Sequence, residues 1–222
     1  MMVAMVTYLN RGMYDQVDVA RLIGRTPVTV GRWTQPTTRR QALLEPQLGA
    51  HLFSFHDLIS LDLVSRLSRR GVRLVHIGRM IRTLAQQLDT DRPLAHRDLP
   101  ELATVGKSVF ADGGAGGWID AGQWGQGAFQ DMIRTELQPI EYDTDGMASR
   151  WRPHDRIALD PRVQAGAPCV DHTRVSTAHL AALHRAGEDV HDLASDYELD
   201  LDDVLAAVAF ETGLDRTVVT AA

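Results

Sequence analysis

Arg25, Thr26, Thr29 and Arg32 fall within the run GRTPVTVGRW that begins at Gly24. Guanidinium and hydroxyl groups at this spacing on a short helix suit the edges of base pairs in a DNA major groove. An arginine there can pair bidentately with guanine, and a hydroxyl can donate or accept. Arg39 and Arg40 follow closely. They are expected near phosphates, where they add affinity and salt dependence rather than sequence reading. A second group, Asp160, Cys169, Asp171 and His172, is close in sequence, but a thiol–imidazole pair works only with a spatial geometry that spacing does not supply. His51, His56 and His76 match no helical ligand pair, and Asp196, Asp200, Asp202 and Asp203 lack an EF-hand spacing. Helix caps and a solvated acidic face account for those aspartates. No catalytic constellation stands out, so the expectation is a protein that is not an enzyme, with no cofactor and no metal.

The first set needs a helix, a tight turn and a second helix, and the stretch from Tyr14 to Trp33 provides for them. Val19, Leu22 and Ile23 give the first helix an apolar edge, and Ala20 permits close crossing. Gly24 sits where the chain must turn and suits positive φ. Thr26 offers an N-cap hydroxyl and Pro27 the first helical position. Val28, Val30 and Trp33 are expected to pack inward, leaving Arg25, Thr29 and Arg32 outside. The plain alternative is an ordinary helical hairpin in a core.

Val19, Ala20, Leu22, Ile23, Gly24, Thr29, Val30, Arg32 and Trp33 match the pattern of the MerR-like winged-helix family, which this stretch resembles. The resemblance implies a DNA reader followed by a wing. Leu43–Leu44 and His51–Phe55 could be the two wing strands; a solvated loop is the alternative. Ser54 can cap a helix carrying Leu58, Leu61, Val64 and Leu67, ending at Arg69, Arg70 and Gly71. A second helix, His76 to Leu88, has Ile77, Met80, Ile81, Leu84 and Leu88 on one stripe.

Composition supports two unlike halves. The 222 residues carry a net charge of −6, yet residues 1–97 alone sum to +7 and residues 98–222 to −13. A basic half that coincides with the helical hairpin favours a polyanion, and the acidic half a different partner; two solvated surfaces without partners are the alternative. The single cysteine excludes an intramolecular disulfide, and no apolar run is long enough for a bilayer, so a cytoplasmic protein is expected.

Residues 98–153 read as a glycine-rich connector, with a short helix from Phe129 to Leu137 and a hairpin of Ile140–Tyr142 and Ala148–Trp151 around Asp145–Gly146. The glycines fit no nucleotide-binding loop. From residue 154 the chain is acidic. A strand at Ile157–Leu159 precedes three helices, Thr177–Ala186, Asp189–Asp196 and Leu201–Phe210, and little holds the chain helical after Gly213.

Ile157, Asp160, Pro161, Gly166, Pro168, Thr173, Arg174, Leu180, Leu183, Gly187, Tyr197, Leu201, Asp203, Val204 and Ala207 match a second pattern. The segment resembles the small helix-turn-helix domain found in VapB-type antitoxins beside PIN-domain toxins. It departs at His172, where that pattern has glycine. The expected fold is mainly α: an N-terminal winged helix-turn-helix at 1–97, small β-hairpins, and a C-terminal three-helix module at 154–222. The resemblance implies a type II antitoxin, a homodimer that represses its own operon and neutralises a VapC-type PIN-domain ribonuclease. Arg174 and Arg216 are the candidates to enter the toxin's carboxylate site, Arg216 from a tail that orders on binding. A MerR-like regulator with a small-molecule-sensing C-terminal half is the rival expectation.

Overall fold

The computed structural model describes residues 10–38, 41–49, 51–100, 133–137 and 139–220, with side chains through Asp215. Two short helices open it, α1 (Gln16–Leu22) and α2 (Pro27–Thr34). Asp15 caps α1, accepting from the Val17 and Asp18 amides, while Asp18 accepts from the Asp15 amide in return. Gly24 turns the chain at φ 62°. Thr26 caps α2 through the Thr29 amide, and Pro27 follows it, as the residues anticipate.

Beneath this hairpin lies α3 (Phe55–Arg69), started by a Ser54–Asp57 capping box, and beside it α4 (Leu74–Leu88). The stripe on α4 is realised: Ile77, Met80, Ile81 and Leu84 are buried, and Leu88 is half-buried at its end. Val19, Ala20, Ile23, Val30 and Trp33 complete one core with the apolar faces of α3 and α4.

The expected wing hairpin does not form. Phe53 pairs instead with Tyr14, its amide donating to the Tyr14 carbonyl, and the Leu43 amide donates to Trp33. Burial of Leu44, Leu48 and Phe53 draws the segment onto the core. Asp57 then fixes it: fully buried, it accepts from the Gln47 amide and from Arg92 Nε at 2.5 Å, while Arg92 also donates to the Glu45 carbonyl. Pro46 in this segment could not have donated to a ladder in any case.

The hairpin expected at 140–151 is present and belongs to a larger sheet. Strands β1 (Ile140–Tyr142), β2 (Ala148–His154), β3 (Ile157–Leu159) and β4 (Cys169–Val170) form an antiparallel meander in sequence order. Ile140 lies opposite Trp151, and Trp151 opposite Leu159. The division anticipated at 153/154 therefore falls inside β2. Ala148, Trp151 and Leu159 join the N-terminal core, as do Ile133 and Leu137 of the helical turn at 133–137.

Three helices close the chain: α5 (Thr177–Arg185), α6 (Val190–Asp196) and α7 (Leu201–Thr220). Ser176 and Asp189 cap the first two, and Gly187 ends α5's turn at φ 107°. A second core of Ile157, Val170, Leu180 and Ala207 holds them to the sheet. The last helix corrects the sequence expectation of a loose tail, since it continues unbroken past Gly213 to Thr220. The molecule is thus helix-rich with one small antiparallel sheet. No helix among the described residues is long and apolar enough to cross a membrane. Of the glycine-rich connector expected at 98–153, residues 101–132 and 138 lie outside the described residues.

Candidate nucleic-acid and partner interface

The helical hairpin divides its candidate DNA residues into two groups. Arg32 is exposed and Thr29 half-exposed on α2. Thr29 Oγ1 lies 2.9 Å from Thr26 Oγ1, so Thr26 acts as the cap and also orients its neighbour's hydroxyl. Arg25, expected to point outward, does not. Its Nε donates to Ser65 Oγ at 2.9 Å, its Nη2 to the Ser65 carbonyl at 2.8 Å, and its guanidinium lies 5.6 Å from the Trp33 ring centroid. Burial, followed by the nearby Arg69, lowers its pKa. Arg25 therefore braces the turn against α3, and so does Arg69, whose Nη2 donates to the Ile23 and Gly24 carbonyls.

Val28 is a second correction. It was expected inside, yet is 69 % exposed. Val28 and Val30 stand about 200° apart around the helix, so one face cannot bury both. The outer surface of α2 thus presents Val28, Thr29 and Arg32. Arg39 and Arg40 lie outside the described residues.

In the C-terminal module, Asp160, Cys169, His172 and Arg174 do meet, around a cleft of about 330 Å³, while Asp171 reaches it only through Arg150, another of its lining residues. Their chemistry is already taken up. Asp160 accepts twice from Arg162, which outweighs its partial burial and lowers its pKa. Asp171 accepts from Arg150 and from the His172 amide. The Cys169 thiol is pushed up to about 11 by burial, so it is a poor nucleophile. Arg174 is exposed at the rim and its carbonyl accepts from Gln164. Among the described residues no three His, Cys, Asp or Glu side chains are grouped to hold a metal ion. The backbone of Arg216 is helical and its side chain lies outside the described residues.

The residue that sequence reasoning missed is Arg21. It joins the two halves, donating to Glu211 at 2.6 Å and to Asp215 at 2.8 Å, both on α7. Glu211 is buried and also accepts from Thr177 Oγ1. Tyr14 adds a further tie, its hydroxyl donating to the Gly166 carbonyl at 2.7 Å. Partners lying more than 150 residues away leave no local signal. Part of the C-terminal negative charge is therefore spent internally, with Asp202 and Asp203 likewise on Arg156.

These features define a helix-rich protein whose N-terminal helix–turn–helix hairpin is docked on an acidic C-terminal module. Residues 157–210 match a family of proteins of unknown function, DUF433. No curated protein matches the chain. The fold is similar to that in the X-ray crystal structure of Rv2018 from Mycobacterium tuberculosis, with a TM-score of 0.71 and 21 % identity, covering 88 % of this chain and 96 % of that one.

Proposed function

We propose that the chain is the antitoxin of a type II toxin–antitoxin pair, a homodimer that represses its own operon and neutralises a PIN-domain ribonuclease. The observation that carries the reading is the helical hairpin on the basic half. Val30 and Trp33 anchor α2, while Val28, Thr29 and Arg32 stand on its outer surface. In this reading α2 enters the major groove, Arg32 and Thr29 meet base edges, and Val28 suits a thymine methyl. Arg25 and Thr26 hold the helix in position, and Arg39 and Arg40 serve the phosphates. The acidic module, with Arg174 at its surface, binds the toxin by occlusion.

The test is a gel shift on duplex DNA from immediately upstream of the gene, together with co-expression of any neighbouring PIN-domain reading frame. Arg32→Ala is expected to weaken specific binding by about 1–3 kcal/mol. Failure of the wild-type chain to shift that DNA, or to co-purify with and inhibit the nuclease, removes the corresponding half of the proposal.

A further inference from the structure

A cleft of about 460 Å³ lies where the hairpin turn, α3, β2 and α7 meet. That size is within the range of small-molecule sites. Its composition is two-sided. Leu22, Trp151 and Phe210 supply apolar wall, and α3 supplies arginines. Arg66 and Arg70, one turn apart, converge on a single carboxylate: Arg66 Nη1 lies 2.6 Å from Glu136 Oε2 and Arg70 Nη2 lies 2.5 Å from Oε1. The side chain of Glu136 is only 12 % exposed, and the two hydrogen bonds outweigh its partial burial and hold its pKa down. Two guanidiniums gripping both oxygens of one carboxylate form a carboxylate-recognition geometry. Here it is filled by a residue of the chain itself.

We propose that this cleft binds a small organic acid, an aromatic body bearing one carboxylate, which displaces Glu136 from between Arg66 and Arg70. The aromatic body covers the half-buried Leu22 and Phe210, surface that Glu136 leaves to water, against the buried Trp151. The displaced carboxylate regains hydration at the rim, so the exchange trades one ion pair for another and gains apolar burial. Because Leu22 belongs to α1 and Phe210 to α7, an occupant touches both halves across the joint made by Arg21. The inference concerns binding alone and does not depend on the proposed antitoxin role.

The test uses the full chain, titrated calorimetrically with 1-naphthoate, with 1-naphthylmethanol as the uncharged analogue and with inorganic phosphate. Binding of 1-naphthoate is expected, strengthened about tenfold in Glu136→Gln, where the internal competitor has lost its charge, and weakened about tenfold in Arg70→Ala. A tenfold change corresponds to about 1.4 kcal/mol. Arg70 is at the exposed rim, so its loss leaves the core intact, which circular dichroism checks. Equal binding of the alcohol would overturn the carboxylate site, and equal binding of phosphate would overturn the apolar subsite. No binding of 1-naphthoate to Glu136→Gln overturns the proposal outright.

Discussion

The stretch from Leu43 to Phe53 and the segment from Ile157 to Leu201 are both interrupted by proline and glycine, at Pro46 and Gly49 in the first and at Pro161, Gly166, Pro168 and Gly187 in the second. They fold by different means. In the C-terminal segment, turns are closed by neighbours: Asp160 accepts from the Arg162 amide, Thr173 Oγ1 donates to the Val170 carbonyl, and Ser176 and Asp189 cap the helices that follow them. In the N-terminal stretch, the deciding groups come from afar. Asp57 reaches back to the Gln47 amide, and Arg92 reaches across to Asp57 and to Glu45. The C-terminal turns are closed mainly by neighbours, with Tyr14 adding one remote tie at Gly166, while the N-terminal stretch waits for the core to form.

The sharpest way to break this contrast is at the buried pair. Arg92 is 7 % and Asp57 0 % exposed at the side chain. Arg92→Ala leaves a buried carboxylate without its cation and is expected to cost about 3–5 kcal/mol in urea unfolding. Arg162→Ala, which removes an arginine whose side chain is 63 % exposed, is expected to cost no more than about 1 kcal/mol. Similar costs for the two variants would erase the distinction between the regions.

The same distinction explains how much was legible from sequence. The caps at Thr26 and Ser54, the turn at Gly24 and the stripe on α4 are spacing signals, and all are present. The extension of α7 was missed because its support is remote: Asp215 is held by Arg21. The outward placement of Arg25 failed for a related reason, since Ser65 lies forty residues on and nothing near Arg25 announces it. Of the candidate site, the positions of Thr29 and Arg32 could be read locally. The joint at Arg21 and the convergence of Arg66 and Arg70 on Glu136 could not.

Between these cases lies Asp62, on α3 four residues before Arg66. Burial pushes its carboxyl up to about 6, against the pull of Arg66, and its side chain is 13 % exposed. The unfolded chain releases that proton near pH ~4. Between about pH 4 and pH 6 the folded state thus binds more protons than the unfolded one, and stability falls as pH rises through this window, then levels off. Measured against wild type, Asp62→Asn cancels the contributions of other carboxylates. The variant is expected to gain about 3 kcal/mol relative to wild type from pH 4 to pH 7. A difference that stays flat with pH would show that the Arg66 ion pair offsets the burial of Asp62 in full.

The smallest effect tests the locally coded region itself. His172 stands at φ 60°, a left-handed conformation, where the motif that this loop resembles has glycine. An L side chain there is strained by about 1–2 kcal/mol. The loop keeps its shape through bonds that leave the imidazole out: the His172 amide donates to Asp171 Oδ1, Thr173 donates to the Val170 carbonyl, and Arg150 donates to Asp171. The imidazole is 78 % exposed and its contact with Asp171, at 3.5 Å, is a surface one, so removing it forfeits little packing. Glycine relieves the strain but adds freedom to the unfolded chain, an offset of about 0.5–1 kcal/mol. His172→Gly is therefore expected to stabilise the protein by up to about 1 kcal/mol, raising its melting temperature, whereas His172→Ala, which keeps a Cβ, is expected to change it little. If alanine stabilised as much as glycine, the imidazole rather than the backbone would be the source of strain, and the turn at this position would not be set by φ.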